Sequence, residues 1–193
     1  MIAGLVLAAG ASHRFGAPKQ LAQLDGRPLL EHVLRAMAAA DLDRLVVVLG
    51  SQADEVLARV DLHGAEPVLC GRWAEGQSAS LACGLAHLAP ESPAAVVVAL
   101  GDQPLLSPEA VRRVVAALDG GSAARATYDG RPGHPVVIEA SLLPELRDVT
   151  GDVGARALLQ RAGVREVTCD DLGGGADVDT PGELARLRQG GAG

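Results

Sequence analysis

The sequence predicts an α/β fold: one domain with a mostly parallel, twisted sheet flanked by helices. Three observations predict it. Short, uninterrupted apolar runs such as 45–49 (Leu-Val-Val-Val-Leu) and 95–100 (Ala-Val-Val-Val-Ala-Leu) have the length and β-branching of strands buried on both faces. Segments with apolar residues every three or four positions alternate with them. Each long run also ends in glycine, at Gly10, Gly50 and Gly101, where a chain leaving a strand turns sharply.

In chain order, 1–9 is an apolar strand that leads into the loop 10–19. Leu29, Leu30, Val33, Leu34, Met37 and Ala38 trace one helical face. The strand at 45–49 follows, then a helix over 52–60, a short strand at 68–69 and a helix over 78–88. After the strand at 95–100, Ser107 caps a helix with Pro108 in its first position, and Val111, Val114, Val115 and Leu118 form its buried face. The stretch 120–138, with its Asp129-Gly130 turn, reads as a small β excursion shaped like a hairpin. A helix over 154–162 and a strand over 164–168 follow. Thr180-Pro181-Gly182-Glu183 is a capping box that opens the last helix. The domain is expected to span 1–189, with 190–193 a frayed tail.

Bulk composition excludes several classes. The net charge of −7 and the presence of only three aromatic residues, Phe15, Trp73 and Tyr128, argue against a nucleic-acid binder. The same charge argues against an anionic membrane surface. The N-terminal apolar stretch is too short to span a bilayer and lacks a basic leader, so a cytoplasmic protein is expected. Cys70, Cys83 and Cys169 have no zinc spacing and are odd in number, so buried reduced thiols are expected.

Sixteen of the seventeen basic residues are arginines, and the exception, Lys19, lies in the first loop. A loop of Gly, Ala and Ser lets backbone N–H groups approach an anion, and a lysine adds a compact charge on a flexible stem. The loop fits neither the Walker A motif nor the G-x-G-x-x-G fingerprint. Asp102 follows a buried strand, where open α/β sheets bind ligands and a hard cation takes one or two carboxylates; it also reads as a turn residue before Pro104. Asp177 and Asp179 share one side of an extended segment, so Asp179 could join Asp102 on one metal. Gln77, Ser78 and Ser80 are small polar groups for a base or ribose, although Ser78 also reads as a helix cap. His134 and the segment 151–156 remain as acceptor-side candidates.

Together these motifs resemble the MobA-like nucleotidyltransferases, and most closely the molybdenum cofactor cytidylyltransferases. The resemblance rests on the opening Leu7-Ala8-Ala9-Gly10-Ala11-Ser12-x-Arg14-Phe15-Gly16-x-x-Lys19 and on Leu100-Gly101-Asp102-Gln103-Pro104. It extends through Gly133-His134-Pro135, Gly151-Asp152-x-Gly154-Ala155-Arg156 and Asp177-x-Asp179-Thr180-Pro181. The first motif is shared with sugar nucleotidyltransferases and other cytidylyltransferases, so it defines reaction class better than acceptor. The guanylyl branch usually has Ala-Gly-Gly where this chain has Ala8-Ala9-Gly10.

The resemblance implies a Rossmann-like nucleotidyltransferase fold and transfer of CMP from CTP to molybdopterin cofactor, releasing pyrophosphate. It implies Arg14 and Lys19 on the triphosphate, Asp102 and Asp179 on Mg²⁺ or Mn²⁺, and Leu7, Ala8, Ala9, Gly10, Ala11, Ser12, Gln77, Ser78 and Ser80 around the nucleotide. His134 and Asp152 would line the acceptor side, and a molybdoenzyme or its maturation chaperone would be a partner. The alternatives are a related cytidylyl- or guanylyltransferase with another phosphorylated acceptor, or a nucleotide-binding regulator without catalysis.

Overall fold

A computed structural model describes residues 1–12, 14–148, 157 and 159–190. Its centre is a seven-stranded sheet in the order β5-β4-β1-β6-β8-β7-β9. The strands are β1 (Ile2–Ala8), β4 (Arg44–Leu49), β5 (Glu66–Leu69), β6 (Ala95–Leu100), β7 (Ala123–Tyr128), β8 (Arg131–Glu139) and β9 (Arg165–Thr168). β1, β4, β5 and β6 pair in parallel, as do β7 and β9, while β8 runs antiparallel to both its neighbours. The hairpin expected at 120–138 is therefore present but built into the main sheet: β8 pairs with β6 from Ala95↔Glu139 to Val98↔Val136. A separate two-stranded ribbon, β2 (Gln23–Leu24) with β3 (Arg27–Pro28), went unpredicted; strands of two residues carry no periodicity to read.

Strand alternation divides the core into two layers. Val6, Val47, Leu49, Val97 and Val137 face one way, beneath α1 (Leu29–Ala38) and α4 (Pro108–Ala116). Leu5, Leu7, Val46, Val48, Val98, Val136 and Ile138 face the other, beneath α3 (Gln77–Leu88) and α5 (Leu143–Asp148). Between them in sequence, α2 (Ala53–Arg59) buries only Val56. Gly84 is what lets α3 lie close on the sheet, since a Cβ there would stand 2.8 Å from Leu5 Cδ2.

The caps predicted at Ser107 and Thr180 form, whereas Ser78 is not a cap: α3 already begins at Gln77, behind Gly76. Ser107 Oγ accepts from Glu109 N at 3.2 Å. At α6 (Pro181–Gly190), Thr180 Oγ1 accepts from Glu183 N at 3.3 Å while Glu183 Oε2 accepts from Thr180 N at 2.9 Å. α5 was not predicted; its six residues are too few for a clear helical face. Residues 157 and 159–162 are helical, but most of the helix expected over 154–162 lies outside the described residues.

The expectation of reduced thiols is overturned at two of the three cysteines. Cys70, at the end of β5, is disulfide-bonded to Cys83 in α3, with Cα atoms 5.8 Å apart, inside the usual span for a bridge. The sequence separation of 13 gave no hint, because it is the packing of α3 beside β5 that brings the two together. Cys169 is buried and free, as expected. Among the described residues, no helix is long and apolar enough to cross a membrane.

Candidate active site

The first loop leaves β1 at the carboxyl edge of the sheet. The buried Gln20 fastens it down: its Nε2 donates to Ala8 O at 3.0 Å and Gly10 O at 2.9 Å. Ser12 Oγ donates to Gln20 Oε1 and accepts from Lys19 N, both at 3.2 Å. Ser12 thus organises the loop internally. Phe15 packs on Leu24, Leu29, Val178 and Leu184, which ties the loop to α6.

Val178 is fully buried in that same cluster, and its N–H donates to Asp102 O at 2.9 Å. With Val178 turned inward, Asp177 and Asp179 turn outward beside Asp102. Asp177 Oδ1 accepts from Gln103 Nε2 at 2.6 Å; burial raises the Asp177 carboxyl above its usual range, with the Gln103 bond opposing.

Lys19 Nζ lies between the two carboxylates expected to hold a metal, 2.6 Å from Asp102 Oδ2 and 2.7 Å from Asp179 Oδ1. Arg14 Nη2 donates to Asp179 Oδ2 at 2.7 Å. Burial lowers the Lys19 pKa, but the two carboxylates together outweigh it and hold the ammonium above its ordinary value. The hydrogen bond from Lys19, aided by both cations, holds the Asp179 carboxyl below the usual range.

These groups line a cavity of ≈ 470 Å³ together with Leu7, Ala8, Ala9, Gly10, Ala11, Gln77 and Ser80. Trp73 and Gly76, which sequence reasoning did not place there, also line it. The available signal was a single tryptophan three residues ahead of a glycine turn. Gly76 enters α3 at φ 112°, a conformation that side-chain-bearing residues avoid. Gln20 was also missed, since nothing local marks it.

A second cavity of ≈ 450 Å³ adjoins the first and shares Leu7 and Gln77 with it. It is lined by Leu81, Val98, Val136, Ile138 and Leu146, with Ser78, His134 and Arg125 among them. Ser78 therefore faces this cavity, whereas Ser80, two positions further along on α3, faces the first. Burial pushes the His134 imidazole down to about 4, with the Asp102 charge opposing. Asp152 lies outside the described residues.

The donor set of the first cavity fits a divalent cation. Asp102 Oδ1 is buried with no hydrogen-bond partner among the described residues. The Lys19 ammonium already occupies the gap between Asp102 and Asp179 as a cation would. Among the described residues there is no cluster of three or more candidate ligands, so two carboxylates would share the ion with ligand oxygens, a set Mg²⁺ and Mn²⁺ accept. Arg14 and Lys19 against Asp102, Asp177 and Asp179 also leave the cavity net negative, so a triphosphate needs a counter-cation to enter.

A model of the MobA-like NTP transferase domain matches residues 4–167. The chain belongs to this family. Rv0371c from Mycobacterium tuberculosis H37Rv matches with a TM-score of 0.87 and 34% identity over 97% of each chain. Another Rv0371c structure from that organism, in complex with manganese, matches with a TM-score of 0.81 and 32% identity, covering 97% of this chain and 98% of that one. Among proteins compared by sequence, the nicotine blue oxidoreductase of Paenarthrobacter nicotinovorans is 36% identical over 96% of both chains. The family and the sheet topology together make this MobA-like protein a nucleotidyltransferase.

Proposed function

We propose that the protein transfers CMP from CTP to the terminal phosphate of molybdopterin cofactor and releases pyrophosphate. The observation that carries this reading is the Lys19–Asp102–Asp179–Arg14 cluster at the mouth of a loop tied to β1, opening onto a second, largely apolar cavity. A phosphate oxygen of the acceptor attacks the α-phosphorus of CTP; that P–O bond forms as the bond from the α-phosphorus to the bridging oxygen of the leaving pyrophosphate breaks. The nucleophile is already anionic, so no protein base is required. Catalysis lies in alignment and in stabilising the charge on the pyrophosphate.

Asp102 and Asp179 would hold Mg²⁺ or Mn²⁺, which when bound supplies charge neutralisation for the triphosphate. Manganese in an Rv0371c structure supports divalent metal use by this fold. Lys19, released from its two carboxylates, turns its ammonium to the phosphates. Arg14, the most exposed member of the cluster, follows from the rim. Ala8 and Ala9 narrow the base side of the cavity, while Gln77 and Ser80 offer polar partners to a pyrimidine edge. His134, neutral at physiological pH, lines the acceptor side, and Asp152 is assigned there with it. The domain is taken as 1–189.

The test is pyrophosphate release on mixing CTP, Mg²⁺ and molybdopterin cofactor with the protein. Omitting the acceptor should abolish it. A redox reading deserves a parallel assay, because a relative 36% identical is an oxidoreductase and an apolar cavity adjoins the nucleotide cavity. Turnover of nicotine blue by the protein, with no pyrophosphate released from any nucleotide, would favour that reading instead.

A further inference from the structure

The second cavity holds one charge that neither the sequence motifs nor the transfer chemistry accounts for. On β7, Ala124, Ala126 and Tyr128 face one core layer. Arg125 points the other way, onto the face that carries Val98, Val136 and Ile138 beneath α3 and α5. Its register partners are Val136 on β8 and Glu166 on β9, and Val136 in turn pairs with Val98 on β6. A guanidinium therefore ends a row of valines and forms part of the wall of the apolar cavity.

The guanidinium is only partly used. Nη2 donates to Glu166 Oε1 at 2.8 Å, while Nε is buried and has no hydrogen-bond partner among the described residues. A buried donor left unpaired is costly. The side chain is 24% exposed, so it is neither a free surface charge nor a sealed core pair. Glu166 already supplies one negative charge to this arginine. A second full anion beside it would be repelled by that carboxylate, whereas a neutral acceptor atom would not. The apolar lining and the ≈ 450 Å³ volume suit a flat ring system.

We infer that Arg125 recognises the acceptor, its guanidinium donating to a carbonyl or lone-pair nitrogen on a flat, uncharged heterocycle seated in the second cavity. The inference rests on the transfer reading for where the acceptor sits, and it names the chemistry of the part lying farthest from the reacting phosphate. Leu7 and Gln77, shared by the two cavities, mark where that ring system joins the path to the nucleotide.

The test uses 6-hydroxymethylpterin, a neutral fluorescent heterocycle, titrated with the full chain and read by anisotropy. Arg125→Met should lower its affinity about tenfold or more, the weight of a hydrogen bond from a charged donor. Glu166→Gln, which keeps the arginine, should change it less than threefold. Mn²⁺·CTP binding, followed by Trp73 fluorescence, should be unaltered in both. Arg125→Lys guards against an unfolded Arg125→Met, and both are checked by thermal melting; the lysine variant should recover part of the affinity. Pterin affinity unchanged in folded Arg125→Met, or no pterin binding by the wild type, overturns the inference. If pterin binding depends on Arg125 but CTP and the molybdenum cofactor yield no pyrophosphate, the transfer reading fails and this one stands. If pyrophosphate is released but Arg125→Met shifts neither pterin affinity nor the acceptor KM, this inference fails alone.

Discussion

The two cavities meet at Leu7 and Gln77 and differ in almost everything else. The first is closed by an ammonium, a guanidinium and two carboxylates linked at 2.6–2.7 Å. The second is walled by leucines, valines and isoleucine, with one arginine and one imidazole set among them. The first can be served by residue types that any nucleotidyl transfer needs, and so it carries reaction class. On the proposed transfer the second must match a particular acceptor, and so it would carry specificity. Mutations should separate along that line: changes in the first cavity act on turnover and metal dependence, changes in the second on acceptor affinity and pH behaviour.

The largest effect is expected at Lys19. Lys19→Ala should reduce pyrophosphate release roughly ten- to a hundredfold, the weight of one charge-assisted phosphate contact. Lys19→Arg should be impaired as well, because a planar fork cannot replace a compact ammonium between two carboxylates. Since that ammonium fills the gap between Asp102 and Asp179, Lys19→Ala should also bind free Mn²⁺ more tightly than the wild type in an EPR titration. Near-wild-type turnover in Lys19→Ala would break the comparison at its polar end.

The second cavity should show itself in acid. His134 has a folded pKa of about 4 against an unfolded value of 6.5, so between those values the unfolded chain binds more protons. Stability from this group is complete above pH 6.5 and is lost as pH falls toward 4, at most roughly 3 kcal/mol. Urea melts at pH 7 and pH 4.5 should show this loss, and His134→Gln should flatten it. An unchanged slope in that variant would place the imidazole in solvent rather than in the cavity wall.

Asp102→Asn and Asp179→Asn should each raise the Mn²⁺ concentration for half-maximal activity by about tenfold, with the larger shift at Asp102, whose buried Oδ1 has no hydrogen-bond partner among the described residues. Metal titrations of activity decide it, and an unchanged curve for Asp179→Asn would reduce that residue to a partner of Lys19 and Arg14. The smallest effect belongs to the scaffold. Thr180→Ala removes half of a capping box and should cost about 1 kcal/mol in a denaturant melt, with the metal titration unmoved.

Much of this was legible because it is local. A strand of valines, a capping box and a loop ending in the chain's lone lysine each announce themselves within a dozen residues. The same holds for Asp102 and Asp179, which sit where strand ends and alternation put them. What was hidden depends on register and on packing across the sheet. Arg125 becomes a cavity residue only because β8 inserts antiparallel between β6 and β7. Val178, which turns both aspartates toward Lys19, looks like any apolar residue until Phe15 and Leu184 close over it. The Cys70–Cys83 pair and the splitting of Ser78 from Ser80 between two cavities likewise exist only once α3 is docked.

The central claim is that the polar cavity takes CTP and the apolar one takes a molybdopterin acceptor. Competing CTP against GTP with Mg²⁺ and molybdopterin cofactor, and reading both dinucleotide products, tests it most directly. The methyls of Ala8 and Ala9 and the polar edge of Gln77 and Ser80 lead us to expect CTP over GTP by about tenfold or more in kcat/KM. Equal use of the two nucleotides, or a preference for GTP, would contradict the cytidylyl assignment, and no product from either would contradict the acceptor.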